Sequence, residues 1–476
     1  MRYFSTRNKS EAVDFTAAAL AGLAPDGGLF VPEEIPPYPA AVRSCLGTMD
    51  YRDIAFETIK PWVNPDIPDP ALEEIVYSAY PFDAPLVGVA DRQVLELFHG
   101  PTAAFKDFGA RFMARAFSYL RRGEDKPLRI IVATSGDTGG AVADGFFGVE
   151  GISVTVLYPR GRVSPLQERQ IAGLGGNVSA LAVEGSFDDC QRMVKAALAD
   201  AELKKRLNLS SANSINVSRL IPQAAYYAAA AGRALAGRLD PGGEASPRTG
   251  DYGPAASGQD RSARNGEAPG AAGATGSAGT AEHRVRKGQA ITLVVPSGNF
   301  GNLTAGVYAW KMGAPVRRFV AATNINKTVP DYLSSGTYLA RPSQATISNA
   351  MDVGTPSNFE RMAAHLSWTD MKESILGAFV TDDETRNTIR AVHALAGYVL
   401  DPHSSVGWTA ADKLLERGLV SGPLGILSTA HPAKFAETVE LLTGPVPVPP
   451  SLAKVMERSP QSSIIPADSS ALKDIL

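Results

Sequence analysis

The chain has 476 residues, of which 44% are hydrophobic and 20% are charged, and its formal net charge is −3. This composition is typical of a soluble globular protein with two or three domains, and the near balance of charges excludes a strong electrostatic attraction to nucleic acid or to an anionic membrane. No apolar run approaches the length of a transmembrane helix, no signal-peptide-like segment opens the chain, and two cysteines cannot build a disulfide framework. We therefore expect a cytoplasmic protein in which Cys45 and Cys190 are core thiols.

Residues 1–85 carry short helical patterns that are separated by turns rich in proline. This organisation differs from the alternating pattern of strands and helices that follows.

Residues 99–108 (HGPTAAFKDF) place Lys106 between Phe105 and Phe108, at the start of an apolar helical pattern. Desolvation and the positive end of a helix dipole both favour a neutral lysine amine. A neutral amine can form a Schiff base with an aldehyde such as pyridoxal phosphate. The alternative is a surface lysine whose aliphatic stem covers its apolar neighbours.

Residues 128–133 form an apolar strand pattern, and a polar, glycine-rich turn and a helical pattern at 141–147 follow it. Turns at the carboxyl ends of parallel strands are where α/β proteins bind ligands. The hydroxyls of Thr134, Ser135 and Thr138 are candidates for binding a substrate carboxylate. Asp137 either faces a cofactor or only caps the helix.

Residues 241–280 form a segment of different composition, in which 27 of 40 residues are Gly, Ala, Ser or Pro and none is Leu, Ile, Val, Met or Phe. Such a segment cannot bury enough apolar surface to offset its ordering entropy. We predict a disordered insertion over residues 240–288, which serves either as a spacer or as a partner-binding or regulatory segment.

A second strand–turn–helix pattern spans an apolar run at 291–295, the turn 296–302 (PSGNFGN) and a helical pattern at 303–312. Glycines let successive backbone N–H groups converge on an anion, and the helix N-terminus adds its dipole. The pattern predicts a phosphate site formed by Ser297, Gly298, Asn299, Phe300, Gly301 and Asn302. The alternative is an ordinary turn, because Gly and Asn are common turn residues.

Further apolar strand patterns lie at residues 153–158, 178–183, 318–322 and 424–427, and helical patterns lie at 187–199 and 219–236. Alternating strands and helices predict a mostly parallel sheet architecture with helices on both faces. Polar residues follow two of these strands. Asn324, Asn326 and Lys327 follow the strand at 318–322, and Thr429 follows the strand at 424–427. We expect none of His99, His403 and His431 to act as an acid or a base.

Seven segments taken together resemble the threonine synthase family of fold-type II pyridoxal-phosphate enzymes. They are residues 3–7 (YFSTR), 22–32 (GLAPDGGLFVP), 99–109 (HGPTAAFKDFG), 133–141 (ATSGDTGGA), 296–302 (PSGNFGN), 349–361 (NAMDVGTPSNFER) and 428–435 (STAHPAKF). The resemblance implies a two-domain, parallel-sheet core like that of the tryptophan synthase β subunit. It also implies an extra N-terminal domain over residues 1–85 and a catalytic region over 86–476 that the insertion interrupts.

The resemblance further implies conversion of O-phospho-L-homoserine and water to L-threonine and phosphate, the last step of threonine biosynthesis. Lys106 would carry pyridoxal phosphate and move protons, the 297–302 loop would hold the cofactor phosphate, Thr429 would face the pyridine nitrogen, and Asp137 would contact the cofactor. The substrate phosphate needs a second anion site, for which Lys327, Arg160 and Arg162 are candidates, although each could also be a solvated surface charge. Asn324, Asn326, Ser135 and Thr138 are candidates for orienting the substrate.

Two other functions remain open from the sequence. A phospho-lyase on the same scaffold would release a 2-oxo acid, ammonia and phosphate instead of threonine. A regulatory relative without catalysis would lack the lysine or the phosphate loop, yet this chain has both. We expect a monomer or a homodimer, without a bound metal, acting on a small-molecule substrate.

Overall fold

The computed structural model describes residues 1–242, 246–248 and 288–476. The disorder predicted for the insertion concerns mainly residues 243–245 and 249–287, which lie outside the described residues. Within the described ranges, none of the helices combines the length and the apolar composition that a membrane crossing requires.

The N-terminal region is built from short helices and one small antiparallel sheet. Its elements are β1 (Tyr3–Ser5), α1 (Phe15–Ala21), β2 (Phe30–Pro32), α2 (Ala40–Cys45), α3 (Tyr51–Val63) and α4 (Asp69–Ala79). The strands β1 and β2 pair with each other, and the side chain of Asp14 caps α1 by accepting from the Ala17 backbone N–H. Cys45, at the end of α2, is exposed, so the expectation of a core thiol is wrong there, whereas Cys190 is buried. The helix α2 has no buried residue, which explains the exposure.

Strands and helices alternate after this region. The first series is β3 (Leu86–Val89), β4 (Arg92–Glu96), α5 (Lys106–Leu120), β5 (Leu128–Ala133), α6 (Asp137–Phe146), β6 (Ile152–Pro159), α7 (Pro165–Ala172), β7 (Val178–Glu184), α8 (Phe187–Ala199), α9 (Ala201–Leu207), β8 (Leu209–Ser211), α10 (Val217–Leu220), the 3₁₀ turn Ile221–Gln223 and α11 (Ala224–Ala236). The single helix predicted over 219–236 is therefore divided, because Pro222 has no N–H to continue the helical ladder.

The second series follows residue 288. It consists of β9 (Ile291–Pro296), α12 (Gly301–Met312), β10 (Val316–Thr323), α13 (Thr328–Ser335), the 3₁₀ turn Asn349–Met351, α14 (Phe359–Ala363), α15 (Trp368–Ser374), β11 (Ile375–Phe379), α16 (Asp382–Ala396), α17 (Pro402–Glu416), β12 (Leu424–Ser428), the 3₁₀ turn Pro432–Phe435, α18 (Ala436–Thr443), α19 (Pro450–Met456), β13 (Ser463–Pro466) and α20 (Ser469–Ile475).

Two mainly parallel sheets organise the chain. One has six strands in the order β11-β10-β9-β12-β4-β3, in which only the β3–β4 pair is antiparallel. The other has five strands in the order β13-β7-β6-β5-β8, all parallel. The predicted α/β class with parallel sheets is confirmed.

Alternate residues of the central strands enter different hydrophobic cores. Leu293 and Val295 of β9 face one core, and Val294 between them faces a second. In β5, Ile130 enters the same first core, whereas Ile131 enters a third. The first core therefore receives one face of each sheet, and the two other cores cover the opposite faces. Because both faces of these strands are buried, their sequences are continuous apolar runs.

Residues 246–248, which lie within the predicted insertion, pack on the six-stranded sheet. The Ser246 hydroxyl donates to Glu96 Oε1 at 2.7 Å, and the Val399 N–H donates to the Pro247 carbonyl at 2.9 Å. Glu96 also bonds His99, at 2.8 Å from Oε2 to Nε2. The described residues 246–248 thus contact the strand end that leads into the loop preceding Lys106.

Candidate active site

Lys106 is the first residue of α5, and the loop before it is held by backbone hydrogen bonds to the end of β12. The Phe105 N–H donates to the Thr429 carbonyl at 2.9 Å, and the His431 N–H donates to the Ala103 carbonyl at 3.0 Å. Ala103 has φ of 52°, a left-handed conformation that is costly for a residue with a Cβ. The loop thus fixes the place of the lysine at the carboxyl end of the sheet.

The amine of Lys106 lies in the wall of a cavity, which we call the lysine cavity. Desolvation lowers the pKa of Lys106 to about 8, with smaller contributions from the positive charges of Lys434 and Arg219, although Asp137 opposes the shift. A larger share of the amine is therefore neutral near neutral pH than for a lysine in water. This is the condition that the sequence pattern predicted for a nucleophilic lysine.

The loop 297–302 joins β9 to α12 and lines the same cavity. Phe300 has φ of 60°, and this left-handed turn places Gly301 at the first position of α12. Asn302 accepts hydrogen bonds at Oδ1 from Tyr226 at 2.6 Å and from Tyr227 at 2.7 Å. Its Nδ2 is buried and has no partner within the described part of the chain. A donor of this kind at a helix N-terminus suits an anion.

The phosphate loop packs tightly against a second loop. A Cβ built on Gly298 would lie 2.6 Å from the carbonyl oxygen of Ala350, so that only glycine fits at this close approach. The Asn299 side chain donates to Ser214 Oγ at 2.6 Å and accepts from the Ser357 N–H at 2.5 Å. Asn299 therefore joins three segments of the cavity wall, and Ser297 donates to the Val295 carbonyl at 2.9 Å.

The turn before α6 supplies a third wall. Thr134 Oγ1 accepts from the N–H groups of Gly136 at 2.9 Å and Gly139 at 2.8 Å, so its hydroxyl builds the turn and does not line the cavity. Ser135, Asp137 and Thr138 do line it. Asp137 is not the helix cap, because that position belongs to Gly136.

Asp137 is buried and is bonded to two side chains. Its Oδ1 accepts from Gln167 Nε2 at 2.9 Å and lies 2.8 Å from Lys434 Nζ. Burial opposes ionisation of this carboxyl, but the charges of Lys434 and Lys106 and the two hydrogen bonds hold its pKa well below the usual range. Asp137 is thus a carboxylate that faces the lysine cavity.

Besides Thr134, the predicted substrate residues outside the lining of the cavity are Arg160, Arg162, Asn324, Asn326 and Lys327. Arg160 pairs with Glu184 at 2.9 Å on the surface, and Lys327 lies 3.5 Å from Asp331. Asn324 and Asn326 donate to Asp352 Oδ1, at 2.8 and 3.3 Å. None of these side chains lines the lysine cavity, and their roles in substrate binding stay predictions.

Several wall residues were not among the predicted site residues. Arg219 is buried in α10 and donates from Nη1 to the Ala212 carbonyl at 2.5 Å; burial lowers its pKa to about 10. His403 is also in the wall; its Nδ1 lies 2.9 Å from Asp401 and its Nε2 accepts from the Ala350 N–H at 3.2 Å. Gln223, Asn213 and Ser214 complete the polar part of the wall. The local signal for Arg219 is a cation at the start of a mostly apolar helical pattern.

A larger cavity of about 1320 Å³ adjoins the first, and we call it the vestibule. Residues of the N-terminal region, of α8 and α9, and of the segment 338–360 line it. Four residues line both cavities, namely Phe187, Gln191, Asn299 and Val353. The vestibule is therefore adjacent to the lysine cavity and shares a wall with it.

Sequence models of three protein families match the chain. They are Threonine synthase N terminus over residues 2–80, Pyridoxal-phosphate dependent enzyme over residues 94–239, and Threonine synthase, C-terminal, over residues 404–476. The threonine synthase of Escherichia coli K12 is 38% identical to the chain over 480 residues, which cover 100% of the chain and 99% of that protein. The chain belongs to the threonine synthase family.

Solved structures of the threonine synthase family agree with this membership. The crystal structure of threonine synthase from Escherichia coli has a TM-score of 0.83 and 37% identity, and it covers 100% of this chain and 99% of its own. The structure of PLP-bound threonine synthase from Brucella melitensis has a TM-score of 0.81 and 34% identity, with 100% and 98% covered. The resemblance of the seven segments is thereby confirmed, together with the fold-type II class and a pyridoxal-phosphate-dependent enzyme.

The residues of the lysine cavity fit this cofactor. The Lys106 amine suits the aldehyde, and the unpartnered Asn302 Nδ2 at the start of α12 suits the phosphate. Thr429, which is 6% exposed, lies in the wall at the end of β12.

Proposed function

We propose that the lysine cavity converts O-phospho-L-homoserine and water to L-threonine and phosphate, with Lys106 as the residue that holds the cofactor and moves the protons. The observation that carries the proposal is that Lys106, with a pKa lowered to about 8, lies in one cavity with the 297–302 loop. When bound, pyridoxal phosphate withdraws electrons from the carbon skeleton of the substrate and so acidifies its C–H bonds.

Each wall of the cavity has a part in this proposal. The backbone N–H groups of residues 297–302 and Asn302 Nδ2 bind the cofactor phosphate, aided by the dipole of α12. Thr429 Oγ1 would donate or accept a hydrogen bond at the pyridine nitrogen when the cofactor is bound. Ser135 and Thr138 hold the substrate carboxylate at the start of α6, where the helix dipole also favours an anion.

The overall reaction requires a proton acceptor and a proton donor near the substrate. A proton leaves Cβ, the bond between Cγ and the phosphate oxygen breaks, and water adds its hydroxyl at Cβ and a proton at Cγ. Lys106 Nζ lies in the cavity wall, and burial lowers its pKa to about 8, which suits a proton carrier. Arg219 adds a positive charge to the wall that balances the anionic substrate and cofactor.

The test compares the wild-type enzyme with Lys106→Ala, using Lys454→Ala on the exposed face of α19 as the matched control. We expect the wild type to show a visible absorption band of the bound cofactor and to form threonine and phosphate one to one. Lys106→Ala should lose the lysine-bound band and more than about 10³-fold of the turnover while remaining folded. Lys454→Ala should match the wild type.

Two results would contradict the proposal. Phosphate accompanied by 2-oxobutyrate instead of threonine would assign the phospho-lyase reaction to the same cavity. Unchanged turnover in the Lys106→Ala variant would remove the lysine from the chemistry.

We further propose that the enzyme acts in the cytoplasm, as a monomer or a homodimer, with residues 1–85 as a domain of their own. Both cysteines are free thiols, which is the usual state in a reducing compartment. Light scattering of the purified protein measures the oligomeric state. A tetramer or a larger assembly would contradict this part of the proposal.

A further inference from the structure

Lys434 is a buried cation next to the lysine cavity. It lies in the 3₁₀ turn Pro432–Phe435, and its side chain is 0% exposed. Its ammonium group donates to the Thr102 carbonyl at 2.8 Å and lies 2.8 Å from Asp137 Oδ1. A buried ammonium is strongly unfavourable unless it is paired and hydrogen-bonded, so the position of Lys434 depends on these two partners.

The two partners of Lys434 belong to different segments beside the cavity. Asp137 begins α6 and faces the cavity together with Lys106. Thr102 lies in the loop that leads to Lys106, and its N–H and hydroxyl both donate to Asp107. One ammonium group therefore joins the end of the six-stranded sheet, the lysine loop and the first residue of α6.

The charges around Lys106 come from three elements besides its own. They are Asp137 on α6, Lys434 on the 3₁₀ turn and Arg219 on α10. The carboxylate of Asp137 stabilises the protonated amine of Lys106, whereas the two cations destabilise it. Lys434 and Asp137 carry opposite charges, so their effects on the pKa of Lys106 are opposite in sign and partly cancel. Removal of one charge leaves the effect of the other uncompensated.

We propose that Lys434 is a positioning residue of the threonine synthase reaction, which fixes the carboxylate of Asp137 at the cavity wall and, as its counter-charge, controls how readily Lys106 releases its proton. The inference rests on the proposed function. It assigns to Lys434 a role that acts through Asp137 and not through contact with the substrate.

The test uses the holoenzyme and three variants: Lys434→Met, Asp137→Asn, and the double variant. The readout is the pH midpoint at which the visible absorption of the lysine-bound cofactor changes, measured together with kcat and the melting temperature. Lys434→Met leaves the carboxylate without its partner, so the midpoint should rise by about one pH unit. Asp137→Asn leaves the cation alone, so the midpoint should fall by a similar amount.

The double variant separates electrostatics from packing. It removes both charges, so its midpoint should return to within a few tenths of a pH unit of the wild-type value. Lys473→Met is the matched control, because Lys473 pairs with Asp200 at 2.7 Å outside the cavity wall. It should leave the midpoint unchanged.

The outcomes are distinguishable from failure of the proposed function. A wild-type enzyme without the cofactor band, or without threonine as product, would contradict the proposed function itself. Wild-type midpoints in all three folded variants would overturn the inference, because a purely structural lysine changes stability and not the midpoint. If Lys434→Met does not fold, the other two variants still decide. A midpoint that falls in Asp137→Asn and returns to the wild-type value in the double variant supports the inference, whereas an unchanged midpoint in Asp137→Asn overturns it.

Discussion

Asp107, the neighbour of Lys106, is a second buried carboxyl at the start of α5. Its two oxygens accept hydrogen bonds from the Thr102 N–H at 2.9 Å and from the Thr102 hydroxyl at 2.6 Å, and the residue is 0% exposed. Burial raises the pKa of Asp107 to about 7, although the hydrogen bonds from Thr102 oppose the shift. The native state therefore keeps a proton on this group that the unfolded chain has already released.

Replacement of Asp107 by Asn tests this proton. Between about pH 4 and pH 7 the native state binds more protons at this site than the unfolded state, so the free energy of unfolding falls as the pH rises, by about 1.4 kcal/mol per pH unit. Asp107→Asn lacks this contribution, and its free energy of unfolding relative to wild type should increase with pH across the range. Urea titrations at several pH values measure the difference. Asp383→Asn, an exposed control, should run parallel to the wild type, and a parallel course for Asp107→Asn would refute the expectation.

At the scale of elements, apolar patterns located the central strands and several helices from the sequence. The predicted ranges 128–133 and 187–199 coincide with β5 and α8, because strands buried on both faces and amphipathic helices have strong local patterns. The short strands β3, β4, β8, β11 and β13 were not predicted. The strand β13 pairs with β7, which lies far earlier in the chain, and no local pattern reports such a pairing.

The same distinction applies to the lysine cavity. The loops that contain Lys106 and residues 297–302 were predictable because their turn chemistry is local. Asn324 and Asn326 also follow a strand. The side-chain amide of Asn324, however, donates hydrogen bonds to Asp352, Thr346 and Ser348, which come from another segment. The burial of Lys434 likewise depends on Asp137, which is distant in sequence. Neither contact leaves a local signal.

The contact between the 297–302 loop and the 3₁₀ turn Asn349–Met351 predicts the effect of Gly298→Ala. The added Cβ would lie 2.6 Å from the Ala350 carbonyl oxygen and 2.9 Å from Met351 Cα, so the loops must separate. Overpacking of this kind costs about 1–3 kcal/mol, and we expect pyridoxal-phosphate affinity to fall about ten-fold or more. Equilibrium binding of the cofactor to the apoenzyme measures this. The control is Gly418→Ala, since Gly418 has positive φ but has open space where the Cβ would lie, and cofactor affinity should not change. Equal affinities in the wild type and both variants would contradict the argument.

At the scale of the whole molecule, the vestibule combines the N-terminal region with the catalytic region and is rich in cations. The basic residues that line it are Arg7, Arg192, Lys195, Lys204 and Arg341, and the acidic ones are Asp188, Asp352 and Glu360. Arg7 pairs with Glu360 at 3.3 Å, and Arg341 pairs with Asp331 at 3.0 Å. Lys195 is exposed and has no ion-pair partner in the described ranges. A surplus of positive charge next to the lysine cavity favours approach of a phosphorylated substrate.

Reversal of the charge at Lys195 tests this electrostatic contribution. In Lys195→Glu, kcat/KM for O-phospho-L-homoserine should fall several-fold at low ionic strength while kcat stays the same, because capture of the anion is weakened and the chemistry is not touched. The deficit should shrink as salt is added, since exposed charges are screened within about 10 Å at 0.1 M ionic strength. Lys454→Glu changes the net charge equally but lies outside the vestibule lining, and it should retain wild-type kcat/KM. Equal losses in both variants would mean that only total charge matters and that the vestibule does not guide the substrate.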